Sequence, residues 1–181
     1  MHDSKDLIKQ AARQIIIDEG IVRFNMRKLS NKSGMALGSI YYYYPAKADI
    51  IFEIVDDLWS ECFVQLKTEG FNSFIEAIED IYAHISEYFL QFAHNWTREL
   101  STLTQRDKAS GRQFENEYMY KIRAVLSKAL RDNYGDITDG AKEILGFEGI
   151  TDFVFTNFMF YMRRGVSDTS KLVYILNKVI L

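Results

Sequence analysis

Four consecutive tyrosines, Tyr41 to Tyr44, form the segment whose chemistry says most about function. A helix turns about 100° per residue, so four successive side chains point around most of its circumference. At least one or two phenols must therefore face outward, where a rigid ring with a hydroxyl group is useful against a partner. Gly38 and Ser39 are small enough to let a helix start approach another surface, and Pro45 ends the segment. The pattern predicts a short helix that inserts into the DNA major groove.

Basic side chains are concentrated around this segment, although the chain has a net charge of −3. Residues 1–50 hold eight Lys and Arg against five Asp and Glu, whereas the remaining residues hold 14 basic and 20 acidic side chains. A local basic excess beside the tyrosines is the electrostatic footprint expected for phosphate binding. Duplex DNA is therefore the predicted partner.

Other kinds of site have little support in the residue pattern. The chain has no Ser/His/Asp set with a local motif and no glycine-rich phosphate loop, so we predict neither an enzyme nor a cofactor. His84 and His94 lie ten residues apart without Cys, His or Asp at ligand spacing, which argues against a metal site. Cys62, the single cysteine, lies on an apolar helical stripe and is predicted to be a buried small hydrophobe.

Apolar residues recur at helical spacing along nearly the whole chain, which predicts an all-α protein. A first helix contains apolar residues from 7 to 16 and ends at Gly20. Asn25 is the expected N-cap of a second helix that ends at Gly34, and the tyrosines form a third. Further helices are predicted over 46–68, 74–92, 97–110, 114–129, 138–164 and 168–180, with a loop at 106–111 and Asp168 as the N-cap of the last helix.

The chain carries no recognisable targeting or membrane segment. Its first residues lack a basic flank followed by an apolar run, and no apolar stretch approaches the roughly 18 residues that a membrane helix requires. We therefore expect a cytosolic protein that does not contact membranes.

An ordered set of motifs covers residues 8–51 without gaps. The motifs are Ile8-x-x-Ala11-Ala12, Gly20, Asn25-Met26-Arg27-x-Leu29-Ser30, Ser33-Gly34-Met35, Gly38-Ser39-Ile40 with the tyrosines, and Pro45-Ala46-Lys47-Ala48-Asp49-Ile50-Ile51. This set resembles the DNA-binding domain of the TetR family of bacterial transcriptional regulators. The resemblance implies a three-helix helix-turn-helix head over 1–48. It also implies a larger helical bundle over 49–181 that dimerises and usually holds a ligand.

The predicted DNA contacts lie on the second and third helices and at the start of the fourth. They are Arg27, Lys28, Leu37, Gly38, Ser39, Tyr41, Tyr42, Tyr43 and Lys47. By the resemblance, Tyr41 and Tyr43 match phosphate-contacting positions, and Tyr42 approaches a base. Leu37 meets a thymine methyl group or packs within the head, and Ile40 and Tyr44, four residues apart, face the core of the head. Ser30 stands where the family often has a small alanine.

The segment 147–161 is apolar around so much of its circumference that it needs burial on two sides. One side can face its own bundle and the other a second subunit, which predicts a homodimer. The predicted interface residues are Phe158, Tyr161, Leu172, Ile175, Leu176 and Val179. A central helix in the core of a monomer is the alternative explanation.

Aromatic and aliphatic residues of the larger region are more numerous than a body of this size needs, which predicts an apolar ligand pocket. The expected lining residues are Phe63, Leu66, Ile81, Ile85, Phe89, Trp96, Tyr118, Ile122 and Phe155. Trp96, Arg98 and Tyr118 are expected to supply the polar contacts. The alternative is that these residues pack together as an ordinary hydrophobic core and line no pocket. A hydrophobic or amphipathic effector is the expected ligand.

Taken together, these features predict a homodimeric transcriptional regulator that acts as a ligand-released repressor. Its two heads would enter successive major grooves, about 34–36 Å apart, on a palindromic operator. The alternative is a helical DNA-binding architectural or interaction protein that senses no small molecule.

Overall fold

The computed structural model describes residues 2–92, 105–166 and 168–181, with side chains for 4–88, 116–166 and 168–181. Over these residues, the regular elements are helical, which confirms the predicted all-α class. The α-helices are α1 (His2–Glu19), α2 (Met26–Ser33), α3 (Leu37–Tyr43), α4 (Lys47–Gln65), α5 (Phe74–Phe92), α6 (Gln105–Asp132), α7 (Asp139–Arg163) and α8 (Ser170–Val179). Short 3-10 turns occupy Ile21–Arg23 and Tyr134–Asp136.

The chain forms two compact units. The first comprises Met1–Glu61 with Gln91–Phe114, and the second comprises Cys62–Leu90 with Glu115–Leu181. The predicted division separates a DNA-binding domain (1–48) from a domain for ligand binding and dimerisation (49–181). It is a division by function, which the compact units do not test, and it stays a prediction.

The core of the first unit is built from the apolar faces of α1 to α4. Ile8, Phe24, Leu29 and Ile40 are almost completely buried in one cluster. Burial of an aliphatic or aromatic side chain of this size contributes about 1.5–3 kcal/mol each. Gly20 ends α1 as predicted, with a φ of 79° that favours glycine. The cluster therefore holds the short helices α2 and α3 against α1.

In the core of the second unit, α5 packs against α7. The Tyr82 ring packs edge-on against Phe158, with 5.0 Å between ring centroids, and its hydroxyl donates to the Val166 carbonyl. Cys62 is fully buried as a free thiol, which confirms its assignment as a small hydrophobe. Burial raises the pKa of this thiol to about 12.

Three boundary predictions in the second half of the chain are wrong. Residues 106–111, predicted as a loop, lie within α6, because one glycine among good helix formers costs only about 1 kcal/mol. The helix predicted over 138–164 is interrupted at Gly146, whose φ is 64°. The last helix has Thr169 rather than Asp168 as its N-cap, although the Asp168 carboxylate accepts from the Ser170 N–H at 2.8 Å.

Within the described residues, no helix is long and apolar enough to cross a membrane.

Candidate DNA-contacting surface

Helix α2 begins and ends at the two residues that the sequence predicts. The Asn25 side-chain oxygen accepts a hydrogen bond from the Lys28 N–H at 2.9 Å. At the other end, Gly34 has a φ of 69° and so takes the left-handed conformation that turns the chain towards α3. An N-cap of this kind stabilises a helix by about 1 kcal/mol.

Two serine hydroxyls hold the turn between α2 and α3. Ser30 Oγ donates to the Met35 carbonyl at 2.6 Å, and Ser33 Oγ accepts from the Met35 N–H at 3.3 Å. The sequence pattern at Ser30 indicates only a small residue, so the hydrogen bond of its hydroxyl to Met35 was not predicted. The one signal for this bond in the sequence is that Ser30 has a hydroxyl group where an alanine would have only a methyl group.

Helix α3 divides its side chains between the core and the outside. Ile40 and Tyr44 are buried, which confirms the prediction that they face the core of the head. Gly38 and Ser39 are exposed, and Tyr42 is the most exposed tyrosine of the segment, at 76%. The outer face of α3 therefore offers a small start followed by phenol groups.

The remaining predicted α3 residues take intermediate positions. Tyr41 is 44% exposed, whereas Tyr43 is half-buried and makes an edge-on contact with Tyr42, with centroids 5.3 Å apart. Leu37 is half-buried against the core of the head. Part of the Leu37 side chain therefore packs within the head, which was one of its two predicted roles.

Tyr44 anchors the end of α3 to charged groups of α1 and α4. Lys5 Nζ lies 5.4 Å from the centroid of the Tyr44 ring and 3.0 Å from a Glu53 carboxylate oxygen. The Tyr44 hydroxyl is buried and has no partner at good hydrogen-bond geometry among the described residues. Burial, and then the nearby Glu53 charge, raise the pKa of Tyr44 well above its usual value. The phenol therefore stays neutral.

Basic residues of α1 and acidic residues of α4 face each other at intervals of four residues. We call this set the α1–α4 ladder. It pairs Lys5 with Glu53, Lys9 with Glu53 and Asp57, and Arg13 with Glu61. Because its side chains are partly exposed, each pair contributes at most about 1 kcal/mol. The ladder also commits three of the head's basic residues to internal contacts.

The other basic residues of the head differ in their partners. Lys28 pairs with Glu19 at 2.5 Å, and Lys32 lies 3.7 Å from Asp18. Arg27 is exposed and has no carboxylate partner among the described side chains. Of the two predicted α2 contacts, Arg27 can therefore bind DNA without breaking an ion pair, and Lys28 cannot.

Lys47, predicted to contact phosphate at the start of α4, lies over an aromatic ring. Its Nζ atom is 5.8 Å from the centroid of Phe24, a buried residue of the head core. Lys47 itself is half-buried.

The predicted dimer residues do not all lie on the surface of the protomer. Phe158, Leu172 and Leu176 are buried within the second unit, so they have no surface left for a partner. Tyr161 is half-buried, whereas Ile175 and Val179 are 42% and 60% exposed. Sequence periodicity separates apolar from polar faces, but it does not show which apolar face the protomer itself covers.

The predicted ligand-contacting residues lie in the interior of the second unit where the structure describes them. Leu66, Ile81, Ile85, Tyr118 and Ile122 are buried, and Phe63 and Phe155 are half-buried. The Phe63 and Tyr118 rings stack with centroids 6.0 Å apart. The side chains of Phe89, Trp96 and Arg98 lie outside the described residues.

Two short helices joined by a tight turn, with the second exposing polar and aromatic groups, define a helix-turn-helix DNA-binding protein. Residues 8–54 match the family profile described as bacterial regulatory proteins, tetR family. These residues therefore form a helix-turn-helix domain similar to the DNA-binding domain of the TetR family.

Several known proteins are similar to this chain. The fatty acid metabolism regulator protein of Bacillus subtilis (strain 168) is 28% identical over 135 residues, which are 74% of this chain and 66% of that protein. The alignment thus spans slightly less than two thirds of that relative. A TetR/AcrR-family transcriptional regulator from Thermobifida fusca YX-ER1 superposes with a TM-score of 0.60 at 17% identity, covering 99% of this chain and 96% of that one.

A TetR transcription regulator from Haloarcula marismortui ATCC 43049 also has a TM-score of 0.60, at 18% identity, covering 98% of this chain and 95% of that one. At such low identities, these two structures establish the common fold.

Proposed function

We propose that this protein is a transcriptional regulator that binds a palindromic operator as a homodimer and represses transcription until a small molecule releases it. The observation that carries the proposal is the outer face of α3, where Gly38, Ser39 and Tyr42 are exposed while Ile40 and Tyr44 fix the helix to the core. A helix that is anchored on one side and has small side chains in its first turn can reach base edges in the major groove. The protein would act in the cytosol and without catalysis.

Base contacts and phosphate contacts can be separated by mutation. Ser39→Ala and Tyr42→Ala should change the preference among operator sequences. Lys47→Ala should weaken binding to all sequences alike and reduce the slope of log affinity against log salt by about one per head. Fluorescence anisotropy on the DNA upstream of the gene, over a series of salt concentrations, measures both effects. A wild-type protein without salt-dependent affinity for that DNA would refute the proposal.

For the effector, we propose an amphipathic molecule with a fatty-acyl chain. Two observations support this class. The predicted ligand-contacting residues with described side chains are aliphatic or aromatic. The similar Bacillus subtilis protein is named for fatty acid metabolism. Binding free-energy coupling of about 1–3 kcal/mol would change operator affinity by about 5- to 150-fold.

A thermal-shift series with fatty acids and acyl thioesters of increasing chain length tests this class of effector. A ligand present at 100 times its dissociation constant should raise the free energy of unfolding by about 2.7 kcal/mol. Short-chain compounds with the same head group are the control. If no acyl compound stabilises the protein while operator binding is intact, the architectural alternative is favoured and the sensor proposal fails.

A further inference from the structure

The partners of the basic side chains point to a DNA contact that the tyrosine motif does not include. Five of the eight basic residues in 1–50 are in ion pairs with acidic groups of α1 or α4. Among the described side chains, Arg23 and Arg27 have no carboxylate partner. Arg27 is already a predicted contact, whereas Arg23 is not.

Arg23 sits on a short turn that is fixed on both sides. Ile21 and Phe24 are buried in the head core, and the Phe24 N–H donates to the Ile21 carbonyl at 3.0 Å. Arg23 itself is exposed. Its backbone therefore has a fixed position while its guanidinium group reaches into solvent.

Lys47 lies near the residue that follows Arg23 in the chain. Phe24 directly follows Arg23 in the chain, and its ring lies 5.8 Å from Lys47 Nζ. Arg23 on the turn before α2 and Lys47 at the first position of α4 are thus connected through one buried residue, the first by the chain and the second by its contact with the ring. Asn25, the neutral N-cap of α2, is the next residue. Of the acidic residues nearest in the chain, Glu19 pairs with Lys28, and Asp49 accepts a hydrogen bond from the Ala46 N–H.

We propose that Arg23 is a further DNA-backbone contact and that it binds phosphate together with Lys47. The proposal rests on the proposed operator binding. Arginine suits this role because its planar guanidinium can donate two parallel hydrogen bonds to one phosphate. Since Arg23 has no ion pair to break, binding of a phosphate replaces only water at this side chain.

The test compares the salt dependence of DNA affinity for Arg23→Ala, Arg23→Lys and the wild type. Each lost phosphate contact should lower the slope by about 0.9, so a fourfold rise in salt should cost the wild type about 3.5-fold more affinity per head than Arg23→Ala. Arg23→Lys should keep the wild-type slope. Arg23→Ala should weaken operator and random DNA by the same factor, because phosphate contacts carry no sequence information.

Lys32→Ala is the matched control, since Lys32 belongs to the same head and has the same charge but pairs with Asp18. It should leave the slope close to that of the wild type. The double variant Arg23→Ala/Lys47→Ala should lose about two contacts per head.

Two failures are distinguishable. If the wild type shows no salt-dependent DNA binding, the proposed function itself fails. If the wild type binds and Arg23→Ala keeps its slope, or lowers it no more than Lys32→Ala, only the assignment of Arg23 is overturned. Circular dichroism of each variant verifies that the helices are retained.

Discussion

At the scale of single residues, two short polar side chains determine where α2 begins and where the chain turns towards α3. Asn25 caps α2 through the Lys28 N–H, and Ser30 fixes the following turn through the Met35 carbonyl. The Asn25 cap was predictable, because an amide before a helical stretch has a known local role. The Ser30 bond was not, since it depends on the path of the chain five residues later.

Replacement of Asn25 by alanine tests the contribution of the cap. Asn25→Ala should lower the free energy of unfolding by about 1 kcal/mol, because the Lys28 N–H loses its acceptor. Asn25→Asp, which keeps an acceptor oxygen in the same place, should stay close to the wild type. Urea denaturation followed by circular dichroism measures both, and equal stability of Asn25→Ala and the wild type would contradict the assigned role.

At the scale of helices, the α1–α4 ladder links the first helix of the head to the long helix that follows it. Burial raises the pKa of Glu53, but interactions with Lys5, Lys9 and the Tyr44 phenol outweigh that effect and hold it below its ordinary value of 4.5. The Arg13 guanidinium lowers the pKa of Glu61 in the same way. Both carboxylates therefore favour the folded state in their ionised form.

The pH dependence follows from the direction of these shifts. A carboxyl group with a lowered folded-state pKa contributes stability that is fully present above its ordinary pKa and is lost as pH falls through the folded-state value. Glu53→Gln should therefore be less stable than the wild type at neutral pH, by at most about 1 kcal/mol. The difference should shrink as the pH falls below 4.5. Urea titrations at several pH values measure it, and a difference independent of pH would contradict the ladder.

The sequence predicts that most of the helices exist, but it does not predict which helices pack together or where a helix is interrupted. The ladder could not be predicted, because which face of α4 meets α1 depends on packing between residues, such as Arg13 and Glu61, that are 48 positions apart in the chain. Gly146 and Gly111 show the same limit at single positions. Gly146 breaks α7 with a positive φ, whereas Gly111 lies inside α6, and neither outcome is encoded in the residue type alone.

At the scale of the whole molecule, α7 and α8 leave apolar side chains uncovered after the second unit has formed its core. Phe160, Tyr174, Ile175 and Val179 are exposed although they are large and apolar. We propose these residues, in place of the buried Phe158, Leu172 and Leu176, as the centre of the homodimer interface. Large apolar side chains left exposed on neighbouring positions are typical of association sites.

Val179→Asp should weaken dimerisation by about 100-fold, because a carboxylate buried without a partner costs about 3 kcal/mol or more. The protomer should remain folded, since Val179 is exposed. Val64→Asp, at an exposed valine on α4, is the control and should not change the dimer. Sedimentation velocity over a concentration series measures the effect, and two variants with the same dissociation constant would refute this interface.

The buried thiol of Cys62 has a practical consequence for following motions of the protein. Because its pKa is about 12 and its side chain is fully covered, almost no thiolate is available to a labelling reagent while the second unit is closed. The chain has no other cysteine, so each modification event reports one kind of opening at one place. Labelling rates with and without an acyl effector, or with operator DNA, would therefore measure how each partner changes the frequency of that opening, without any engineered probe.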